Sequence, residues 1–600
     1  MPSEAIDPLK IQNIVKLGFD RMDRFCKARA LFFKSYVGQY YREEKGLEGD
    51  EPLNLVFNTI RSYVPNLVAQ SPITLVTTPY VEHKQYAELL GMGLDTVARQ
   101  IKLKQTLRAW VTNALFAWGI TRTGLKASGE LLQIDDVYID NGQVYTRCVM
   151  LDNFGFDPTC TSIDEARCLF DMVTVPRQWL LDSAGMDHDL IALLPSSGSN
   201  YQNPLADLTR SQEAKDAMTK LQDEVDVVQM YVPETQQIVL MGDPRQGLRD
   251  KFIKIGDFNG PKEGPYTFLS YSPPVEGNPF PVAPVSIWYD LHQSSNRVFK
   301  KTLEQIEQQK DVGFFNPAQA DEVNDVKEAQ TGDWIPTTDP KGINLISIGG
   351  QNPKNDAALN TLFMWYNMMA GNPTQMSGNT TGTEGDETAT KTMALQSNMS
   401  VGINDMQDIT YDATSEIMRK TAWYLHTDPF IQLPMTKRMT GGEEKQLVLT
   451  PELRMGDFLD FAFTIKSRSM TKMDPMVRSK RILEFCTNVI PAGATTAQTL
   501  MAIGQPFNLN KYYTQIAIEW GIGDWVEELL VDPEFQNKLK IMLAMGPQNP
   551  GKAKSPNTMA GIQQNGGAPM NMAIPSISQE NNAAPQATAA IAQSANQGVV

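Results

Sequence analysis

The sequence predicts an α+β protein built from several subdomains. Two observations carry this reading. Residues 131 to 280 alternate apolar and polar side chains with period two and carry strong turn signals, the pattern of half-buried antiparallel strands. On either side, stretches at 8–46, 85–119, 285–311 and 388–425 repeat apolar residues every three to four positions, the pattern of amphipathic helices. Strands and helices are segregated along the chain, which argues against a doubly wound nucleotide-binding sheet.

Each element follows from local signals. Ile11, Ile14, Val15, Leu17, Phe19, Met22 and Phe25 define a helix over 8–46. "EPLNLVFNTIRSYVPNLVAQSPITLVTTP" reads as a helix broken at Pro65, then a short strand beginning near Ile73. A single helix is expected over 85–119. In the β region, "LLQIDDVYID" and "QVYTRCVML" flank Asn141-Gly142. Asn-Gly between alternating segments predicts a hairpin, because both residues of such a turn take positive φ. A second hairpin joins "VDVVQMYV" to "QIVLMG" around "PETQ", and Pro176 opens a short helix over 176–184.

After Pro284 the texture changes. Residues 285–311 hold no Gly or Pro, and Leu291, Ser295, Val298 or Phe299, Leu303 or Thr302, and Ile306 form a narrow stripe suited to packing against like helices. A short, strand-like stretch rich in Pro and Gly follows. Asn355 or Asp356 then caps a second helix with Leu359, Leu362 or Phe363, Tyr366 and Met369 on one face and Gly371 at its end. "SGNTTGTEGDETAT", residues 377–390, has no large apolar residue and reads as a flexible connection. The next helix, over 388–425, aligns Met399, Ile403, Met406, Ile409 or Thr410, Ala413, Ile417, Thr421 and Tyr424, and spans roughly 55 Å. "KQLVLTPELRMGDFLDFAFTIKSRS" returns to strand. From 474 the pattern is helical, with cap-and-proline pairs at Asp474-Pro475 and Asp532-Pro533. Residues 546–600 are rich in Ala, Gln, Asn, Gly and Pro, with only Lys552, Lys554 and Glu580 charged, and read as a low-complexity tail.

Composition bounds the function. A chain of 600 residues implies about three to five domains or subdomains. A 42% hydrophobic and 20% charged chain has room for a large core. The net charge of −16 argues against a protein that coats nucleic acid, because phosphates are neutralised by Lys and Arg. The five cysteines, Cys26, Cys148, Cys160, Cys168 and Cys486, form no CxxC pair and read as reduced structural thiols. The four histidines are scattered, which does not favour a structural zinc site. "MPSEAIDPLK" lacks a secretory pattern, and no run approaches the ~18–20 apolar residues of a membrane span, so a soluble protein is expected.

Motifs of catalysis fail on inspection. "GPQNPGKA" fits GxxxxGK, but Ala553 stands where a phosphate loop needs Ser or Thr, and a proline-rich tail follows. The acids Asp152, Asp157, Asp164, Glu165 and Asp171 have no metal-ligand spacing and read as helix caps or a solvated face. Gly185–Leu190, "GMDHDL", reads as a surface turn. No nucleophile–base arrangement is visible, so the sequence predicts a non-enzymatic protein with no cofactor or metal. Basic residues gather at Lys466, Arg468, Lys472, Arg478, Lys480 and Arg481. They form either an ordinary solvated face or a contact with nucleic acid or a neighbouring subunit.

The order of these parts resembles the portal (head–tail connector) proteins of tailed phages, most closely the short-tailed type. "PLNLVFNTIRSYVPNLVAQSP" resembles the family's early Asn-containing helix. "LDNFGFDPTCTSIDEARCLF" resembles its Asp-Pro segment and the acid–Ala–Arg helix after it. "MSGNTTGTEGDETATKTMALQ" resembles its tunnel loop and the start of its long crossing helix. The resemblance covers about residues 1–545 and implies a ring-forming subunit with a portal fold. Its parts would be a wing at 1–284, a stem helix at 285–312, a clip at 313–354 and a second stem helix at 355–371. A tunnel loop at 372–388, a crossing helix at 389–426, a returning wing β segment at 427–470, a helical crown at 471–545 and a tail at 546–600 would follow.

By the same resemblance, about twelve copies form a channel at one capsid vertex of the virion, after synthesis in the host cytoplasm. Double-stranded DNA passes through it without sequence recognition, driven in by a terminase motor and later ejected. Head–tail adaptor and tail proteins and the major capsid protein are the other implied partners, with no membrane. Asn379, Thr380, Thr381, Thr383, Glu384, Asp386 and Thr388 would ring the narrowest point. Phe314, Phe315 and Trp334 would anchor partners at the clip, or pack in its core. Another connector or adaptor ring of the virion is the nearest alternative, and a nucleic-acid-processing enzyme a more distant one.

Overall fold

A computed structural model describes residues 7–38, 52–126, 131–134, 137–140, 142–183, 185–197, 223–315, 320–332, 334, 336, 343–348, 350, 352–371, 389–429, 431, 433–438, 444–466, 469–470, 475–502, 509–520, 522 and 526. The chain divides into two units, Met1–Asp532 and Pro533–Val600, and all described residues fall in the first. The phosphate-loop-like 546–553 and the tail lie outside the described residues.

The N-terminal part is a helical layer on antiparallel sheets. Helix α1 (Pro8–Val37) starts where Asp7 accepts from the Leu9 N–H, and it stops at Gly38, whose φ of 68° ends it earlier than the sequence pattern predicts. Helix α2 (Leu55–Leu67) is capped by Asn54 and runs through Pro65 to Leu67. The expected break there does not occur, because a proline near the C-terminal end removes one backbone bond while Val68 still donates to Val64. The expected 85–119 helix is two: α3 (Lys84–Gln100) and α4 (Leu103–Phe116), separated by Lys102 in the left-handed region at φ 52°. Burial of Leu103, Leu107, Trp110 and Val111 turns α4 inward.

Strands follow as β1 (Thr74–Thr77), β2 (Gly119–Lys126), β3 (Leu131–Ile134), β4 (Val137–Asp140), β5 (Gln143–Cys148), β6 (Phe154–Phe156) and β7 (Leu169–Pro176). Short helices α5 (Arg177–Asp182) and α6 (His188–Ala192) precede β8 (Glu224–Val232), β9 (Gln237–Gly242), β10 (Lys254–Asp257) and β11 (Tyr266–Leu269). One sheet is ordered β10-β9-β8-β7-β6, a second β11-β2-β5. The β8–β9 hairpin closes as expected, with Val232 opposite Gln237. Among the described residues, no pairing joins β4 to β5 across Asn141-Gly142. β3 pairs with β4, and β5 pairs instead with β2, where Thr121, Thr123 and Thr146 become buried. Gly142 keeps the positive φ of 69° but hands the chain to a different partner. The expected turn at 185–190 contains the start of α6, capped by Asp187.

Helix α7 (Pro284–Glu307) begins one residue before the predicted 285 and ends five before the predicted 312, and its buried face is Val285, Trp288, His292, Ser295, Asn296 and Thr302. Ser295 and Thr302 of the predicted stripe are buried, and beside them Asn296 holds both the N–H and the carbonyl of Leu53, drawing a polar group inward. Strand β12 (Lys310–Phe315), helix α8 (Ala320–Glu328) and strand β13 (Ile343–Ile348) follow, with Lys310 opposite Ile348 and Phe315 opposite Ile343. Helix α9 (Pro353–Met369) is capped by Asn352, three residues before the expected cap, because Pro353 occupies the first helical position. On α9 only Tyr366 of the predicted face is buried. Helix α10 (Ala389–Thr427) is 39 residues long, about 58 Å.

The strands β14 (Leu433–Arg438) and β15 (Glu444–Leu449) pair with each other, and β16 (Ala462–Ile465) pairs with β1, so the chain returns to the N-terminal layer. Helix α11 (Pro475–Glu484), a π-helical turn at Phe485–Val489, α12 (Ile490–Ala502) and α13 (Leu509–Glu519) complete the described fold. Mixed helix and antiparallel sheet matches the α+β expectation.

Candidate functional site

Helices α7 and α9 form an antiparallel pair, and residues at both ends fix it. At one end the Asn355 amide donates to Gln305 Oε1 at 2.7 Å. At the other, the Tyr63 ring stacks on Trp288, near the start of α7, and its hydroxyl donates to the Ala370 carbonyl at 2.8 Å. Thr59 and Tyr366 share a buried hydrogen bond of 2.8 Å in the same place. Gly371, at φ 67°, is the next residue, and a Cβ there would lie 2.5 Å from the Tyr63 hydroxyl. The chain therefore leaves this pair from a fixed point. Asn379, Thr380, Thr381, Thr383, Glu384, Asp386 and Thr388 lie beyond it, outside the described residues.

The chain re-enters at α10, whose later turns are held by polar groups that the sequence reading missed. Lys420 is fully buried. Its Nζ donates to the Tyr266 carbonyl and, at 3.0 Å, to Thr267 Oγ1, and pairs with Glu416 at 2.7 Å. Burial pulls the Lys420 pKa down, and the Glu416 carboxylate pulls it back. Arg419 pairs with Glu263 at 2.8 Å, Tyr271 shares a hydrogen bond of 3.1 Å with Thr410, and Tyr86 one of 2.8 Å with His426.

Tyr266 continues this chain of contacts into the sheet. Its hydroxyl donates to Asp171 at 2.5 Å, and Asp171 also accepts from Arg122 at 2.5 Å and Arg147 at 2.7 Å. Burial, followed by the Asp171 charge, pushes the Tyr266 phenol far above its ordinary value. Removing one partner from such a buried array typically costs about 3–5 kcal/mol, because the other charge is left unpaired. Asp171 is thus no solvated acid. Asp157 is buried too, accepting from the Thr159 N–H at 2.8 Å, and Asp152 lies 4.0 Å from the buried Arg29. Asp164 and Glu165 sit in a helical first turn, as expected. The signal for Lys420 was present in its place on the buried side of α10, one turn after Glu416.

The other sequence-predicted residues separate. Phe314 is 51% exposed on β12 and Trp334 is 98% exposed, so core packing does not hold Trp334 within one chain. Phe315 is placed on β12 opposite Ile343. Val323 is the buried apolar residue among those described in this module. Of the basic set, Arg481 donates to the Trp520 carbonyl at 2.7 Å and so ties α11 to the end of α13. The Lys466 N–H extends the β1–β16 pairing to Ile73 at 2.9 Å. Arg478 and Lys480 are placed on α11, and Arg468 and Lys472 lie outside the described residues.

Among the described residues, no cluster of three or more His, Cys, Asp or Glu side chains could hold a metal ion, and no helix is long and apolar enough to cross a membrane. The five cysteines are free, with Cys26, Cys160 and Cys168 buried. Comparison with known protein families finds no match, and comparison with characterised proteins finds none either.

Proposed function

We propose that this chain is the repeating subunit of a portal ring, the channel at one capsid vertex through which double-stranded DNA is packaged and ejected. One observation carries the reading. An antiparallel helix pair bears a small β module at one end and, at the other, ends on a fixed residue from which a polar 17-position stretch, 372–388, leads into a 39-residue helix. In this reading that stretch is the tunnel loop. Its acids would repel phosphate at short range, about 8–10 Å in physiological salt, so that DNA slides past.

A ring needs heterologous contacts between two different faces of neighbouring copies. The face of α9 formed by Met364, Trp365, Met368 and Met369 is exposed in one chain, which supports further burial in an assembly. Trp334 and Phe314, exposed on the β module, are the proposed anchors for the terminase motor and later the head–tail adaptor. Tail proteins and the major capsid protein are the remaining proposed partners, in the virion.

Electron microscopy of purified protein tests the proposal together with a variant lacking 379–386. A ring of about twelve copies with a central hole is expected for both proteins, with DNA packaging or retention lost only in the deletion. A compact monomer with nucleotide turnover overturns the portal reading, and loss of assembly on deletion overturns the tunnel-loop assignment.

A further inference from the structure

The chain carries −16 net charge, yet no Asp or Glu stands between Asp95 and Glu130, and Arg99, Lys102, Lys104 and Arg108 fall at the front of that interval. The fold turns this run into a rigid basic corner. Lys102, in its left-handed conformation, separates α3 from α4, with its N–H bonded to Arg99 and its carbonyl to the Gln105 N–H. Leu103 and Leu107 are buried beneath it. Arg99, Lys102 and Arg108 are exposed and Lys104 is half-buried. Lys102, Lys104 and Arg108 form no ion pair with any described residue.

A second row carries the opposite sign. Asp405, Asp408 and Asp412 are exposed on α10, on the side opposite the buried Thr410, Thr414 and Ile417. They too form no ion pair with described residues. Lys104 and Arg108 are one helical turn apart, as are Asp408 and Asp412, so the two rows repeat at the same spacing of about 6 Å. We infer that the α3–α4 corner of one chain docks on the Asp405–Asp408–Asp412 row of a second copy. The inference rests on the ring reading, and it supplies what head-to-tail closure requires, two different and complementary faces. A single exposed pair contributes little, so the contact acts as a row, fixing register and partner choice more than total affinity.

The test uses the full chain. Lys104→Glu with Arg108→Glu reverses one row, and Asp408→Lys with Asp412→Lys reverses the other. Oligomer mass is followed by mass photometry in low and in about 0.5 M salt, where screening shortens to a few ångströms. Either reversal is expected to lower the assembled fraction about tenfold, and the fourfold variant to restore it. Circular dichroism confirms folding; should a reversal unfold the chain, the Gln and Asn variants at the same positions replace it, with a smaller expected loss. Reversals without effect, or a fourfold variant that stays dissociated, overturn the pairing. So does an intact ring whose basic-row variant instead loses binding to a short DNA duplex, since the corner's occupant is then a polyanion. A monomeric wild type defeats the ring reading itself; a wild-type ring indifferent to every reversal defeats only this docking.

Discussion

The imidazole of His426 lies 2.8 Å from the Tyr86 hydroxyl, among Phe458, Phe461 and the Arg454 guanidinium. Burial lowers its pKa, and Arg454 lowers it further. The folded chain therefore binds fewer protons than the unfolded chain once pH falls below the unfolded value of about 6.5. This group's contribution to stability is complete above that pH and is lost as pH falls through it toward the lower folded value. Asp95 acts oppositely. Burial raises its pKa to about 6, against the pull of the Thr74 N–H and Arg99, so its contribution is complete below its unfolded value and lost as pH rises toward 6. Urea midpoints measured from pH 5 to 7 isolate the histidine by comparison with His426→Phe. The variant should show a flatter rise of stability with pH, by no more than about 1.4 kcal/mol per pH unit for one proton. Equal slopes in both proteins would refute the assignment.

Among elements, the exit from α9 is the one most tightly specified. Gly371 combines a φ of 67° with a neighbour, the Tyr63 hydroxyl, 2.5 Å from any added Cβ. Gly371→Ala should destabilise by about 1–3 kcal/mol in chemical denaturation. Tyr63→Phe in the same chain removes the clashing oxygen, so the double variant should lose less than the sum of the singles; strict additivity would contradict the contact. Gly371 as a helix end was legible in the sequence, as were the start of α7 to within one residue, the "PETQ" hairpin and the length of α10, because each rests on local chemistry. The misses were choices between distant partners. β5 left Asn141-Gly142 for β2 because that pairing buries a row of threonines. Asp171 read as solvated because Arg122 and Arg147 reach it only in the folded sheet. Lys102 broke a helix without the glycine or proline that normally signals one. For the candidate site, the polar stretch before α10 stood out by composition, whereas Tyr63 and Thr59, which hold the exit from α9, and Lys420, which holds the later turns of α10, come from elements far apart in the chain.

At the scale of the whole molecule, the apolar core belongs to the body. The large apolar cluster joins α2, α3, α4, α7 and the later turns of α10, with Phe461 and Phe463 from the returning segment. Strand β16 on β1 and Met470 against Ala69 close this body through residues nearly four hundred positions apart. Among the described residues, the β12–β13 module sends no side chain into that cluster, and its buried apolar residue is Val323. Lys310 and Ile348 face each other across an antiparallel pair, so their backbones stand about 5 Å apart and a short Gly-Ser turn can join them. Replacing 311–347 by such a turn should therefore leave α7 and α9 paired and the cooperative thermal transition within about 3 °C of the parent, a shift that corresponds to no more than about 3 kcal/mol in a body of this size. Loss of cooperative unfolding would mean that the module is part of the core. Retention of the transition leaves Phe314 and Trp334 with no structural duty in the single chain, as their exposure implies.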